Sequence, residues 1–179
     1  MCAMFLAGSH GVRLPSFAAV ALRETPFTVI AALLLSIALV GGLGGGDPRL
    51  EAIAVRRIAA FDTAMLVTVP AAFAVAGLAS QIVTRVAVVV AVRALVGFIG
   101  LGLLACAQGG RLAGTVSQVA FFVLVTLLGP TTDGSVQVWA FPIAAPSSAV
   151  AAAVAGGLAL SGATIWLLMG PERAVLAKT

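Results

Sequence analysis

Long apolar runs separated by short polar breaks dominate this chain of 179 residues. The runs cover residues 27–43, 61–79, 86–107, 115–128 and 149–169. A helix needs roughly 20 apolar residues to cross the hydrocarbon core of a bilayer, and it satisfies all of its own backbone polar groups there. The runs therefore predict an all-α, polytopic transmembrane helix bundle with five clear spans.

The composition argues against a soluble fold and against a β-barrel. Charged residues make up 9% of the chain and hydrophobic residues 61%, whereas soluble domains contain roughly 25% charged residues. So few charged groups do not cover the surface of a soluble domain of this size. A barrel needs apolar and polar residues that alternate along each strand, and residues 31–40 and 86–92 do not alternate.

The segments outside the runs define the predicted organisation. Residues 1–25 interrupt every apolar run with glycine, proline or charge, and within them residues 15–22 are predicted to form a short helix at the membrane interface. Residues 136–148 contain two prolines and are expected to form a re-entrant or interfacial segment. The bundle would have a sixth span if either of these two segments crosses the membrane. The bundle is thus predicted over 26–170, between an N-terminal interfacial segment and a cytoplasmic tail at 171–179.

The distribution of basic residues predicts the orientation, because cytoplasmic loops carry more lysine and arginine. With five spans, six basic residues lie on the side of the 47–60 loop, the 108–114 loop and the tail, and three lie on the other side. This predicts a multi-pass protein of the cell membrane with a cytoplasmic C-terminus. The net charge of +4 is accordingly assigned to topology and to contacts with the lipid bilayer, and not to nucleic acid.

No catalytic or metal-binding cluster is visible among the polar residues. The acidic residues are isolated, at Glu24, Asp47, Glu51, Asp62, Asp133 and Glu172. The two cysteines, Cys2 and Cys106, are far apart, and the single histidine, His10, stands between serine and glycine. No HExxH, GxSxG or GxxxxGK[ST] motif occurs. The sequence therefore predicts neither an enzyme nor a cofactor or metal site.

Asp62 and Arg93 are the ionisable residues that fall in or near predicted spans. A charge at bilayer depth costs about 2.5–3.5 kcal/mol on insertion scales, so it is usually paired or faces a polar cavity. Each residue is therefore a candidate gate or substrate contact. The alternative is that its side chain lies near a helix end and reaches back to the interface. Gln118, in the fourth span, is expected to hydrogen-bond to another helix.

Two sets of small residues are expected to let helices pack closely. Gly97, Gly100 and Ala105 lie in the third span, and Ala153 and Gly157 lie in the fifth. Close packing is the default explanation for both sets, and no ligand site is inferred from them.

Two sequence features resemble a known family. One is Asp-Pro-Arg-Leu-Glu-Ala at 47–52, followed by Arg56 and Arg57 and leading into the second span. The other is Trp-Ala-Phe-Pro at 139–142, before the Ala-rich last helix. Over residues 27–170 the chain resembles small polytopic permeases of the ABC-2 exporter type from high-GC Gram-positive bacteria. It departs from that type in having five clear spans where the family has six.

The resemblance implies the membrane-spanning permease subunit of an ATP-driven exporter, working with a separate cytoplasmic ABC ATPase. An amphipathic cytoplasmic helix would meet the ATPase, and a re-entrant element on the outward side would precede the last helix. The docking residues would then be Arg49, Glu51, Arg56 and Arg57. Their alternative role is to bind anionic headgroups. A homo- or hetero-oligomer is compatible with this assignment.

Composition supports a second function equally well. The chain is then a non-transporting integral membrane protein, such as an accessory or assembly subunit or an immunity protein. The scarcity of polar residues in the spans favours this second function if the cargo is hydrophilic, and it does not discriminate if the cargo is lipid-like.

Overall fold

The computed structural model describes residues 11–16, 21–43, 58–80, 87–131 and 135–169. Most of these residues are helical, as predicted, and one short antiparallel strand pair precedes the helices. The elements are, in chain order, β1 (Gly11–Ser16), β2 (Ala21–Pro26), α1 (Phe27–Gly42), α2 (Ile58–Ser80), α3 (Ala87–Leu128) and α4 (Ala149–Met169). The helical class of the bundle is thus confirmed.

The N-terminal strands correct one prediction. β1 pairs with β2 in an antiparallel register that places Gly11 opposite Pro26 and Ser16 opposite Ala21. The short helix predicted over residues 15–22 is therefore wrong, because both ends of that range lie in strands. A helix of so few residues is marginal by itself, since its nucleation is unfavourable. Strand pairing instead gives the backbone groups of both segments hydrogen-bond partners.

Helix α3 consists of two helices that fold back on each other. The backbone leaves the helical region at Gly109–Gly110, and Gly110 has a φ of 75°, which glycine adopts without a steric penalty. Gln118 donates a hydrogen bond of 3.0 Å to the carbonyl oxygen of Phe98. In a straight helix these two residues would be about 30 Å apart. The halves therefore run antiparallel: α3a covers residues 87–108 and α3b covers residues 111–128.

Helix α1 packs against both halves of α3. Ser36, in the middle of α1, contacts Gln118 of α3b. Gly41, at the end of α1, lies beside Thr115, which is earlier in α3b, so these two helices run antiparallel. Helix α1 ends at a run of glycines, which favour helix termination.

The remaining helices pack against α3a. The end of α2 meets the beginning of α3a where Gly77 packs on Val88, so these helices run antiparallel. Helix α4 crosses α3a where Gly100 packs on Leu158, and the later residues of α4 share a cleft with the later residues of α3a. The segments α1, α2, α3a, α3b and α4 therefore alternate in direction along the chain.

Two of the described helices are long and apolar enough to cross a membrane, not the five that were predicted. They are Val88–Leu128, which contains the reversal at Gly109–Gly110, and Ala149–Leu168. Phe27–Gly42 and Ala64–Gly77 are apolar but shorter. Two features of the helices contribute to the difference: the third and fourth predicted spans both lie in α3, and α1 has only 16 residues.

Helix boundaries follow the predicted runs closely in other respects. The last helix covers the predicted residues, Ala149–Met169. Ser148 caps it, since its Oγ accepts a hydrogen bond of 3.3 Å from the backbone nitrogen of Ala151. The loop predicted over residues 108–114 is reduced to the two glycines of the reversal. The tail predicted over residues 171–179 lies outside the described residues.

The core lies between α1, α3a and α3b. Its largest fully buried apolar side chains include Val29 and Val40 of α1, together with Leu95, Phe98 and Leu103 of α3a. Four polar side chains are buried in the described part of the chain, at Thr28, Ser36, Arg93 and Gln118.

Candidate functional site

Gln118 joins three helical segments in the centre of the bundle. Its Nε2 donates to the carbonyl oxygen of Phe98 in α3a at 3.0 Å, and its Oε1 accepts from Ser36 Oγ in α1 at 3.2 Å. Ser36 Oγ also lies 2.7 Å from the carbonyl oxygen of Leu33 in its own helix. Gln118 and Ser36 are fully buried. Gln118 therefore makes the hydrogen bond to another helix that its sequence position predicted.

The close approach to Gln118 depends on Gly102. A methyl group on Gly102 would overlap Gln118 Nε2, so a larger residue would displace the amide from its carbonyl partner. Sequence reasoning missed both Ser36 and Gly102. Ser36 is a lone serine in an apolar run, and nothing local indicates a partner 82 residues away.

Arg93 is buried and attached to the loop between α3b and α4. It is 6% exposed. Its Nη1 donates to the carbonyl oxygen of Ala145 at 2.9 Å, and its Nη2 donates to that of Ala144. Its Nε is buried without a hydrogen-bond partner in the described structure. The guanidinium is thus held by backbone carbonyl groups of this loop, and its role as a gate or substrate contact stays a prediction.

The loop held by Arg93, residues 135–148, is a series of turns rather than a straight span. Phe141 anchors it in the bundle, fully buried. The ring of Phe141 stacks on Phe121 with centroids 5.4 Å apart, and its centroid lies 6.0 Å from that of Phe98. Aromatic pairs in this range are worth roughly 0.5–1.5 kcal/mol beyond area burial. A methyl group on Gly97 would overlap the Phe141 ring, so Gly97 makes room for this loop and not for a helix.

Helices α3a and α4 touch backbone to backbone at two glycines. A methyl group on Gly100 would overlap the backbone at Leu158 and Ala159, and one on Gly162 would overlap the carbonyl oxygen of Gly100. The packing predicted for Gly100 is therefore present. Gly162, its counterpart, was missed because glycine in an Ala-rich helix gives no indication of which face it occupies.

The other small-residue set does not pack against the described part of the chain. A methyl group on Gly157 would meet nothing within 4 Å, and Ala153 is exposed. The close packing predicted for these two residues is wrong for the described chain, because α4 presents a different face, marked by Gly162, to α3a. Ala105 is half-buried.

The remaining predicted site residues are Asp62 and the proposed docking residues. Asp62 is the fifth residue of α2, and its role stays a prediction. Arg49, Glu51, Arg56 and Arg57 lie outside the described residues, so ATPase docking also stays a prediction.

A cleft of about 290 Å³ lies between α2, α3a and α4. Its walls include Pro70 of α2, Ile99 and Leu103 of α3a, and Ala163 and Trp166 of α4. The side chains that line it are aliphatic apart from the indole of Trp166, whose N–H is a hydrogen-bond donor. The cleft therefore offers mainly apolar contact area to hydrocarbon.

The described part of the chain contains no group of three or more His, Cys, Asp or Glu residues placed to hold a metal ion. The polar groups inside the bundle can fasten helices and the 135–148 loop together. The chain matches no family model, no curated protein and no solved structure to which it was compared.

Proposed function

We propose that this chain is a polytopic membrane protein that faces lipid with apolar side chains. The observation that carries the proposal is the inverted polarity of the bundle. Val67, Leu160 and Leu168 are 66%, 73% and 81% exposed, whereas Ser36 and Gln118 are fully buried. Large exposed apolar patches promote association of soluble proteins. In a bilayer the same face contacts lipid, and polar groups find their partners inside the bundle.

We further propose that α1, α2, α3a, α3b and α4 each cross the bilayer. Their alternating directions support this, since consecutive spans must alternate. Helix α1 has 16 residues and is about 24 Å long. It is thus shorter than a hydrocarbon core of about 30 Å and would require local thinning of the bilayer. The basic residues favour an orientation with the Gly109–Gly110 reversal and the C-terminus in the cytoplasm.

Alkaline carbonate extraction of native membranes tests the membrane assignment. The protein is expected to stay in the pellet after the carbonate wash and to be released only by detergent. A peripheral protein of the same membranes, which the wash should release, is the control. Recovery of this protein in the carbonate supernatant contradicts the assignment.

Within the membrane, we propose that the chain is a non-transporting accessory, assembly or immunity subunit. Most polar groups inside the described bundle support this, because Gln118 and Ser36 bind each other and Arg93 binds the loop, while Thr28 Oγ1 and Arg93 Nε are buried without a partner there. A path for hydrophilic cargo needs polar groups that face it. Purified protein in liposomes is therefore expected to release a trapped hydrophilic dye no faster than protein-free liposomes do. Release above that background contradicts the proposal.

A second proposal is that the chain is an exporter permease for lipid-like cargo, working with a separate ATPase. The apolar cleft favours it, because one wall is α2, the helix that follows the predicted docking residues at 49–57. A rigid connection there would pass movement of the ATPase to the cleft.

Insertion of two glycines after Ala54 tests the docking part of this second proposal. The insertion keeps every charge and breaks the rigid connection, so it should abolish ATPase activity that depends on this subunit. Arg56→Ala with Arg57→Ala is the matched change, since it removes charge and keeps the connection. If the insertion leaves co-purification of the ATPase and its activity unchanged, the segment serves only as a topology signal.

A further inference from the structure

We propose that the cleft between α2, α3a and α4 binds a single hydrocarbon chain of a membrane lipid. The inference rests on the proposed membrane location and adds a ligand site to it. The walls of the cleft come from three helices, at Pro70, Ile99 and Ala163 among others, and the lining side chains are aliphatic apart from the indole of Trp166. Such walls recognise a ligand mainly by shape and by apolar contact.

The size of the cleft suits a chain-like ligand. Its volume is about 290 Å³. A slender acyl or isoprenoid chain can lie in a cleft of this size between three helices.

The depth of the cleft selects the same class of ligand. Pro70 is 12 residues from the start of α2 and 10 from its end. Ile99 is 12 residues from the start of α3a and nine from the Gln108 end. At about 1.5 Å per residue, these two walls lie roughly 15 Å from either helix end. In a helix that crosses the bilayer this is the middle of the hydrocarbon core, where lipid tails are the surrounding solvent. The α4 wall extends from there toward one end of the bundle, since Trp166 is three residues from Met169.

Trp166 provides a probe inside the cleft. It lines the cleft and is 9% exposed, so most of its indole surface is covered by protein. The chain contains two tryptophans. The other one, Trp139, belongs to the 135–148 loop and packs on Phe121 instead. Replacing Trp139 with phenylalanine therefore leaves Trp166, in the cleft, as the source of tryptophan fluorescence.

The test compares Trp139→Phe protein in phosphatidylcholine vesicles with the same protein in phosphatidylcholine brominated in the middle of its acyl chains. Bromine quenches tryptophan fluorescence on contact. A bound chain is expected to reduce the Trp166 signal at least twofold. Ala163→Phe, added to the same protein, fills the cleft and should restore most of the signal. Val67→Phe, which fills it from α2, is the second filling variant in case Ala163→Phe does not fold.

The matched control is Ala152→Phe, which places the same ring on the exposed surface of α4 outside the cleft lining. It should leave the quenching unchanged. Equal quenching with and without a filled cleft overturns the proposal, because Trp166 then senses only the bulk bilayer. Absence of quenching in a protein that resists carbonate extraction also overturns it, while the membrane assignment stands. Recovery of the protein in the carbonate wash contradicts both the lipid site and the membrane assignment.

Discussion

Gln118 Nε2 lies 3.0 Å from the carbonyl oxygen of Phe98, and this hydrogen bond joins the two antiparallel halves of α3. The same amide accepts from Ser36 Oγ, so one side chain connects α1, α3a and α3b. In lipid, helices associate through packing and hydrogen bonds, because tails and side chains are equally apolar. The hydrogen bonds of Gln118 are therefore the first contacts to test by substitution.

Gln118→Leu is expected to lower the free energy of unfolding by about 0.6–1.7 kcal/mol, from the average to the largest value for hydrogen bonds between membrane helices. The substitution removes the donor to Phe98 and leaves Ser36 with only its own-helix partner, Leu33. Unfolding titrations in mixed micelles measure the change. Ser117→Ala is the control, since the Ser117 hydroxyl binds only the Gly114 carbonyl of its own helix. Equal effects of the two substitutions would show that the interhelical bonds contribute nothing specific.

Gly100→Ala is expected to destabilise the bundle by about 1–3 kcal/mol, as overpacking of a tight contact does. The added methyl group meets the backbone of α4 at Leu158, which cannot rotate away as a side chain does. Gly157→Ala places the same methyl group in open space and should be neutral, or stabilising by up to about 1 kcal/mol through helix propensity. Thermal unfolding in detergent distinguishes the two, and a neutral Gly100→Ala would contradict the backbone contact.

Arg93→Leu is expected to loosen the 135–148 loop while the chain still inserts. The change leaves the carbonyl groups of Ala144 and Ala145 without their charged donors, and such hydrogen bonds contribute about 1.5–3 kcal/mol. Hydrogen–deuterium exchange of peptides from this loop should become faster. Arg93→Lys should be intermediate, because an ammonium group lacks the planar fork of donors. Unchanged exchange in both variants would mean that Arg93 does not hold the loop.

The orientation is expected to place the 135–148 loop outside and the Gly109–Gly110 reversal in the cytoplasm. In a protein with Cys2 and Cys106 replaced, Ser147→Cys should react with an impermeant thiol reagent in intact cells. Gln108→Cys should react only after the cells are opened. Both positions are exposed in the structure, so reactivity reports the side of the membrane. The reverse pattern would invert the topology, and labelling of both in intact cells would contradict a crossing by α3b.

Two polar residues of the candidate site could be predicted from the sequence, but their contacts could not. Gln118 and Arg93 stand out because they are polar residues in apolar runs. Their partners do not stand out, because Ser36 is one serine among apolar residues and the acceptors of Arg93 are backbone carbonyls. A backbone acceptor has no sequence signature, since every residue carries one.

The sequence by itself determined the helical class, the boundaries of the last helix and the reversal near Gly109–Gly110. These follow from local chemistry, because long apolar runs that do not alternate favour helices and paired glycines allow the turn. Tertiary structure alone decided that Gly162, and not Gly157, meets Gly100, and that Gly97 serves the 135–148 loop. In an Ala-rich helix every face is apolar, so the pattern does not indicate which face turns inward. That choice depends on which helix backbones approach most closely, and the approach is fixed only when all the helices pack together.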